Sequence, residues 1–121
     1  DLIRNPQGKV AIRLAEIGED KVSTSIIVAA ELRYGAAKRS SARLTAQMEI
    51  VLGALKILPF ESPSEIVYGD LRSRLETRGT PIGANDLLIA AHAMALGHTL
   101  VTDNEREFSR NEGLPLENWL R

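Results

Sequence analysis

The stretch ANDLLIAAHAMALG, residues 84–97, constrains the fold more than any other. From Leu87 to Leu96 only His92 interrupts a run of Leu, Ile, Ala and Met. The run ends on Gly97 and reads as a helix buried almost all round. A helix of that kind needs a protein interior around it. It also begins on a carboxylate, Asp86, which at the mouth of an apolar helix requires a partner or a purpose.

The rest of the chain supplies the interior by alternation. Asn5-Pro6 offers a helix start, and Val10, Ile12, Leu14 and Ile17 make one apolar stripe up to Gly18. Residues 21–25, KVSTS, read as a strand whose Thr24 or Ser25 caps a helix through IIVAAELRYGAAKR. Residues 41–55 carry Leu44, Met48, Val51 and Leu55 at helical spacing, and KILPF is a second strand. Ser62-Pro63 starts a fourth helix with Ile66, Val67, Leu71 and Leu75 inward and Arg72, Arg74 and Arg78 outward, stopped at Gly79. Residues 86–96 are the fifth helix, HTLVT a buried strand, and LPLENWL closes the chain. Short Val/Ile/Leu-rich strands alternating with helices predict an α/β fold: a short parallel sheet flanked by helices in three layers, α/β/α.

In such sheets, function gathers at the carboxyl ends of the strands. Glu31 follows KVSTS by one to two helical turns, Asp86 sits in the first turn of its helix, and Asp103 and Asn104 follow HTLVT directly. Taken singly, each has an ordinary explanation. Glu31 would pair with Arg33 or a nearby cation, Asp86 would favour the positive end of its helix, and Asp103-Asn104 would form a turn. His92 and His98 read as structural. Taken together, carboxylates and amides bordering buried segments would repel one another when empty, and an oxygen-only cluster suits Mg²⁺ or Mn²⁺.

Composition narrows the alternatives. The 121 residues include no cysteine and two histidines, which excludes disulfides, thiolate metal sites and the usual zinc sites. Net charge is −1 with 26% charged residues, so a nucleic acid would have to meet a focused groove rather than a uniformly basic surface. No apolar run is long enough to span a bilayer and no export signal opens the chain, which fits a reducing, cytoplasmic setting.

STSIIVAAELRYGAAK, GTPIGANDLLIAAHAMALGHTLVTDNEREF and LPLENWL together resemble the PIN-domain toxins of the VapC and FitB type, over the whole chain. The resemblance implies a PIN-like fold and a Mg²⁺- or Mn²⁺-dependent endoribonuclease, the toxin of a type II toxin–antitoxin pair held in check by a VapB-like antitoxin. It also implies a homodimer that places two sites along one RNA groove. Residues 1–121 are then a single PIN domain. The first of the family's acidic positions, an aspartate in a motif like LDTN at the end of the first strand, is expected upstream of Asp1, so the chain is read as truncated at its N-terminus. By the same resemblance the second acidic position falls on Glu31, the third on Asp86 and the variable fourth on Asn104, with Asp103 able to substitute. Glu107 is a more distant, electrostatic candidate.

The chemistry implied is in-line phosphodiester hydrolysis leaving a 5′-phosphate. The metal is held by Asp86 and the upstream aspartate, with Glu31 farther out or acting through water, and Thr102 orients the ligands by hydrogen bonding. Either Arg72, Arg74 and Arg78 or Lys38, Arg39 and Arg43 would guide RNA. Helix 41–55 and the fourth helix are the candidate antitoxin and dimer contacts. The alternative is a catalytically incompetent PIN-like interaction domain that binds an antitoxin or a partner PIN domain. A receiver-like signalling domain fits less well, because AELRYG follows KVSTS and no lysine follows a late strand.

Overall fold

The computed structural model describes residues 9–18, 21–102 and 104–119. They form two compact units, one running up to Pro59 and the other spanning Phe60–Trp119.

The first unit contains α1 (Lys9–Ile17), β1 (Ser23–Ser25), α2 (Ile26–Arg39), α3 (Ala42–Ala54) and β2 (Lys56–Leu58). β1 and β2 pair in parallel, with Ser23 opposite Lys56 and Ser25 opposite Leu58. The connection between them is the hairpin α2–α3, set by two consecutive serines. Ser40 ends α2 in the left-handed region, φ 52, and its N–H returns to the Ala36 and Ala37 carbonyls. Ser41 then begins α3, its Oγ accepting from the Leu44 N–H at 3.2 Å. At the front of α2, Ser25 Oγ accepts from Ile27 N–H, so the cap expected in KVSTS is present. Small residues on α2, Ala29 and Ala36, meet Met48 and Leu52 of α3, with Leu32 and Ile57 packed against them. Leu52, rather than Val51, carries the buried stripe of α3.

The second unit contains α4 (Ser64–Thr77), α5 (Ala84–Leu96), β3 (Leu100–Val101), α6 (Glu105–Phe108) and β4 (Leu116–Glu117). α4 packs against α5, and β3 pairs in parallel with β4. The inner stripe of α4 is Ser64, Leu71 and Leu75, all buried, whereas Ile66 is 65% exposed. Counting from Ser64, Ile66 lies a little over half a turn round the helix, off the stripe that the buried leucines define. The fifth helix begins at Ala84, two residues earlier than expected. It buries Leu87 and Ile89 through His92 but is half-open beyond, with Leu96 45% exposed. HTLVT contributes only two strand residues, of which Val101 is exposed. The short parallel strands expected from the sequence are therefore present, pairing among the described residues as one two-stranded ladder in each unit. No helix is long and apolar enough to cross a membrane among the described residues.

Candidate active site

In the second unit, the polar groups that the sequence singles out gather around Gly83. Gly83 precedes α5 and offers no side chain to cap it. Its N–H is taken instead from another element: it donates to Glu107 Oε1 at 2.7 Å. Asp86, in the first turn of α5, lies on the same side. A Cβ placed on Gly83 would stand 3.6 Å from Glu107 Oε1 and 3.8 Å from Asp86 Oδ2. The hydrogen at that position keeps apolar surface away from two adjoining carboxyls, whose charged forms need polar neighbours.

Glu107 reaches this position because residues 105–108 are helical. The spacing Asn104-x-x-Glu107 is that of a capping box, yet the groups are used differently. The Asn104 side chain makes no cap bond to the helix. Its Nδ2 donates to Glu107 Oε2 at 2.9 Å, and its backbone N–H goes to Thr102 Oγ1 at 3.0 Å. Thr102 thus accepts the Asn104 backbone N–H, and Asn104 in turn donates to the Glu107 carboxylate. With hydrogen bonds on both its oxygens, Glu107 is held below the ordinary carboxylate range. The Gly83 N–H is the largest cause and the Asn104 amide the next. Partial desolvation opposes them, while a hydrogen bond with the Asp86 carboxyl and the charge of Arg110 add smaller contributions.

Asp86, Asn104 and Thr102 are therefore brought to one place, and Glu107, expected to be remote, is at its centre. Asp103 lies outside the described residues. Glu31 is exposed on α2 of the first unit. The ordinary partner expected for it is engaged elsewhere, since Arg33 bonds Glu49 of α3 at 2.8 Å. His92 is buried with its ring edge-on to Phe60 at 5.4 Å between centroids, which supports its structural reading. The arginines of α4 and of its C-cap are committed to acids: Arg72 to Glu76, Arg74 to Asp70 and Arg78 to Glu112. By contrast, Lys38 lies over the exposed Tyr34 ring at 6.0 Å.

The donor set around Gly83 is made of oxygens, with two carboxyls side by side. That is the complement a hard divalent cation takes from protein when water and phosphate complete its shell. Among the described residues no group of three or more His, Cys, Asp or Glu side chains gathers to hold a metal.

The family profile for the PIN domain matches residues 2–114. Ribonuclease VapC2 of Rickettsia felis is 46% identical over 99 residues, covering 81% of this chain and 74% of that protein. The tRNA(fMet)-specific endonuclease VapC of Salmonella typhimurium is 36% identical over 104 residues, 85% of this chain and 79% of the relative. Among solved structures, DNA-bound VapBC from Salmonella typhimurium superposes with a TM-score of 0.84 at 32% identity, over 98% of this chain and 89% of that one. With its profile match running through both units and VapC relatives at this identity, the chain belongs to the PIN-domain family, in its VapC branch.

Proposed function

We propose that this chain is the toxin of a type II toxin–antitoxin pair, a divalent-metal-dependent endoribonuclease blocked by a VapB-like antitoxin, acting in the cytoplasm as a homodimer of single PIN domains. The observation that carries the reading is the Glu107 carboxylate, held on its two oxygens by Gly83 N–H and Asn104 Nδ2, with the Asp86 carboxyl adjoining it. It is supported by relatives named ribonuclease and tRNA-specific endonuclease and by a structural neighbour described as a VapBC complex.

In this reading Asp86 and Glu107 hold Mg²⁺ or Mn²⁺. A cation held there would lower the pKa of a water and offset charge on the scissile phosphate. Asn104 keeps Glu107 aimed and ionised, Thr102 keeps Asn104 in its turn, and Asp103 is the neighbouring acid able to substitute. Glu31 enters from the family pattern as the further acidic group. With the arginines of α4 paired, Lys38, Arg39 and Arg43 are the better guides for the RNA backbone. A structured tRNA is the substrate to try first, because a relative is named for one.

The test is cleavage of tRNA by the full-length protein containing this chain, with Mg²⁺ or Mn²⁺ and with EDTA. Expected are cleavage with metal, 5′-phosphate ends, arrest by EDTA, and loss of cleavage in Asp86→Asn and Glu31→Gln. Antitoxin binding without metal binding or cleavage would instead establish the interaction-domain alternative.

A further inference from the structure

Three contacts join the loop after α4 to the segment that begins with α6, and they run in opposite directions along the two. Arg78 forks onto Glu112, with Nη1 to Oε1 at 3.1 Å and Nη2 to Oε2 at 3.3 Å. Arg110 Nη1 donates to the Pro81 carbonyl at 2.9 Å. Gly83 N–H donates to Glu107 Oε1 at 2.7 Å. As the loop advances from 78 to 83, its partners retreat from 112 to 107.

The loop needs this support. Gly79 adopts φ 72, a conformation that favours glycine. Thr80 N–H still returns to Leu75 O, the last backbone bond to α4. Residues 80–83 belong to no helix or strand, and Pro81 has no N–H to give. Gly83 at the far end is in ordinary extended backbone, φ −58 and ψ 150. Between those two glycines, Arg110 takes the main-chain carbonyl of Pro81, and it does so from the same segment whose Glu107 accepts from Gly83. Donor and acceptor are three residues apart, joined by a turn in which Arg110 N–H donates to the Glu107 carbonyl at 3.2 Å, so they close on the loop together.

We propose that Arg110 is a positioning residue for the cation pair: by holding the Pro81 carbonyl, it keeps the Gly83 N–H on Glu107 and so keeps the Glu107 and Asp86 carboxyls side by side. This rests on the metal-dependent nuclease reading above. Arg110 touches neither carboxyl in this scheme. Beyond the small pull of its charge on Glu107, it acts through two residues of loop backbone, in the way that outer partners of a metal site set its ligands.

The experiment uses the full-length protein with Arg110→Ala, Arg110→Lys and Arg110→Met. The methionine keeps the apolar stem without the donor and serves if the alanine variant does not fold. Three quantities are read: hydrogen exchange of the Gly83 amide in EDTA, Mn²⁺ affinity by calorimetry, and kcat and KM for RNA. Loss of the donor is expected to speed Gly83 exchange at least about tenfold and to weaken Mn²⁺ binding by about 10–100-fold. It is also expected to lower kcat with KM nearly unchanged, and Arg110→Lys should recover most of each. A variant with a lower melting temperature but parental Gly83 exchange and Mn²⁺ affinity overturns the proposal and leaves Arg110 a general brace. A parent protein that neither binds Mn²⁺ nor cleaves RNA overturns the nuclease reading, and the proposal with it. Parental cleavage with Mn²⁺ binding unchanged on loss of Arg110 overturns the proposal alone.

Discussion

Glu107 accepts the Gly83 backbone N–H at 2.7 Å across 24 positions of sequence, and this single bond joins the acid of a four-residue helix to the threshold of the most apolar helix in the chain. Because both of its oxygens are engaged, Glu107 is stabilised as the anion. Its folded-state pKa lies below its unfolded value, so its contribution to stability is present above the ordinary carboxylate range and disappears as pH falls through the depressed value. In EDTA, the parent protein is therefore expected to be more stable than Glu107→Gln at neutral pH, with the difference closing on acidification. Urea denaturation at stepped pH reads it; a gap that stayed constant down to strongly acidic pH would place the stabilisation elsewhere.

Asp86 offers a sharper separation of stability from function. Gly83, not Asp86, occupies the cap position of α5, so Asp86→Asn forfeits only a charge near the helix N-terminus, about 0.3–1 kcal/mol. The new amide can still donate to Glu107 in place of the Asp86 carboxyl. Without metal, the variant is expected to melt at or above the parent temperature, to gain less from Mn²⁺ than the parent, and to lose both RNA cleavage and growth arrest in cells. Equal Mn²⁺ stabilisation with intact toxicity would make Asp86 a structural residue.

Leu71 is 2% exposed on the inner stripe of α4. Leu71→Ala is expected to cost about 2–5 kcal/mol, the range for truncating a buried leucine, whereas Ile66→Ala on the open face should change stability by less than about 0.5 kcal/mol. Chemical denaturation of the two variants side by side tests the assignment of the helix face directly.

Lys38 and Arg39, in the last turn of α2, are expected to meet RNA phosphates. Replacing both by alanine should weaken RNA binding and flatten its dependence on salt, by about 0.7 in log–log slope for each phosphate no longer neutralised. Arg72→Ala, which removes a cation already paired with Glu76, should leave that slope unchanged. A salt titration of binding affinity separates the two sets.

Helix positions were legible wherever apolar spacing and caps agreed. Ser25 and Ser41 announce α2 and α3, and Gly97 ends α5. The faces were less legible: Ile66 looks inward by character but is outward by phase, because Ser64, a polar residue, takes the buried place at the start of α4. Asp86 and Asn104 stood out as candidates because each is polar beside an apolar segment. Glu107 stood out only as a distant, electrostatic candidate, since EREF is too short for periodicity to reveal a helix and its partner, a backbone N–H at a glycine, leaves no mark in composition. The Asn104-x-x-Glu107 spacing was the available signal.

The two serines between α2 and α3 also bear on how the chain reaches its fold. β1 and β2 are parallel and far apart in sequence, so their pairing by itself would wait on the closure of a long loop. The helical turn at Ser40 and Ser41 folds that loop back on itself through contacts between near neighbours, which form in microseconds rather than after a long search. Once Ala29 and Ala36 lie against Leu52 and Met48, the chain entering α2 and the chain leaving α3 emerge together. The register of Ser23 on Lys56 is thus chosen at the opposite end of the hairpin, and substitutions at Ser40 or Ser41 should slow the assembly of strands they never touch.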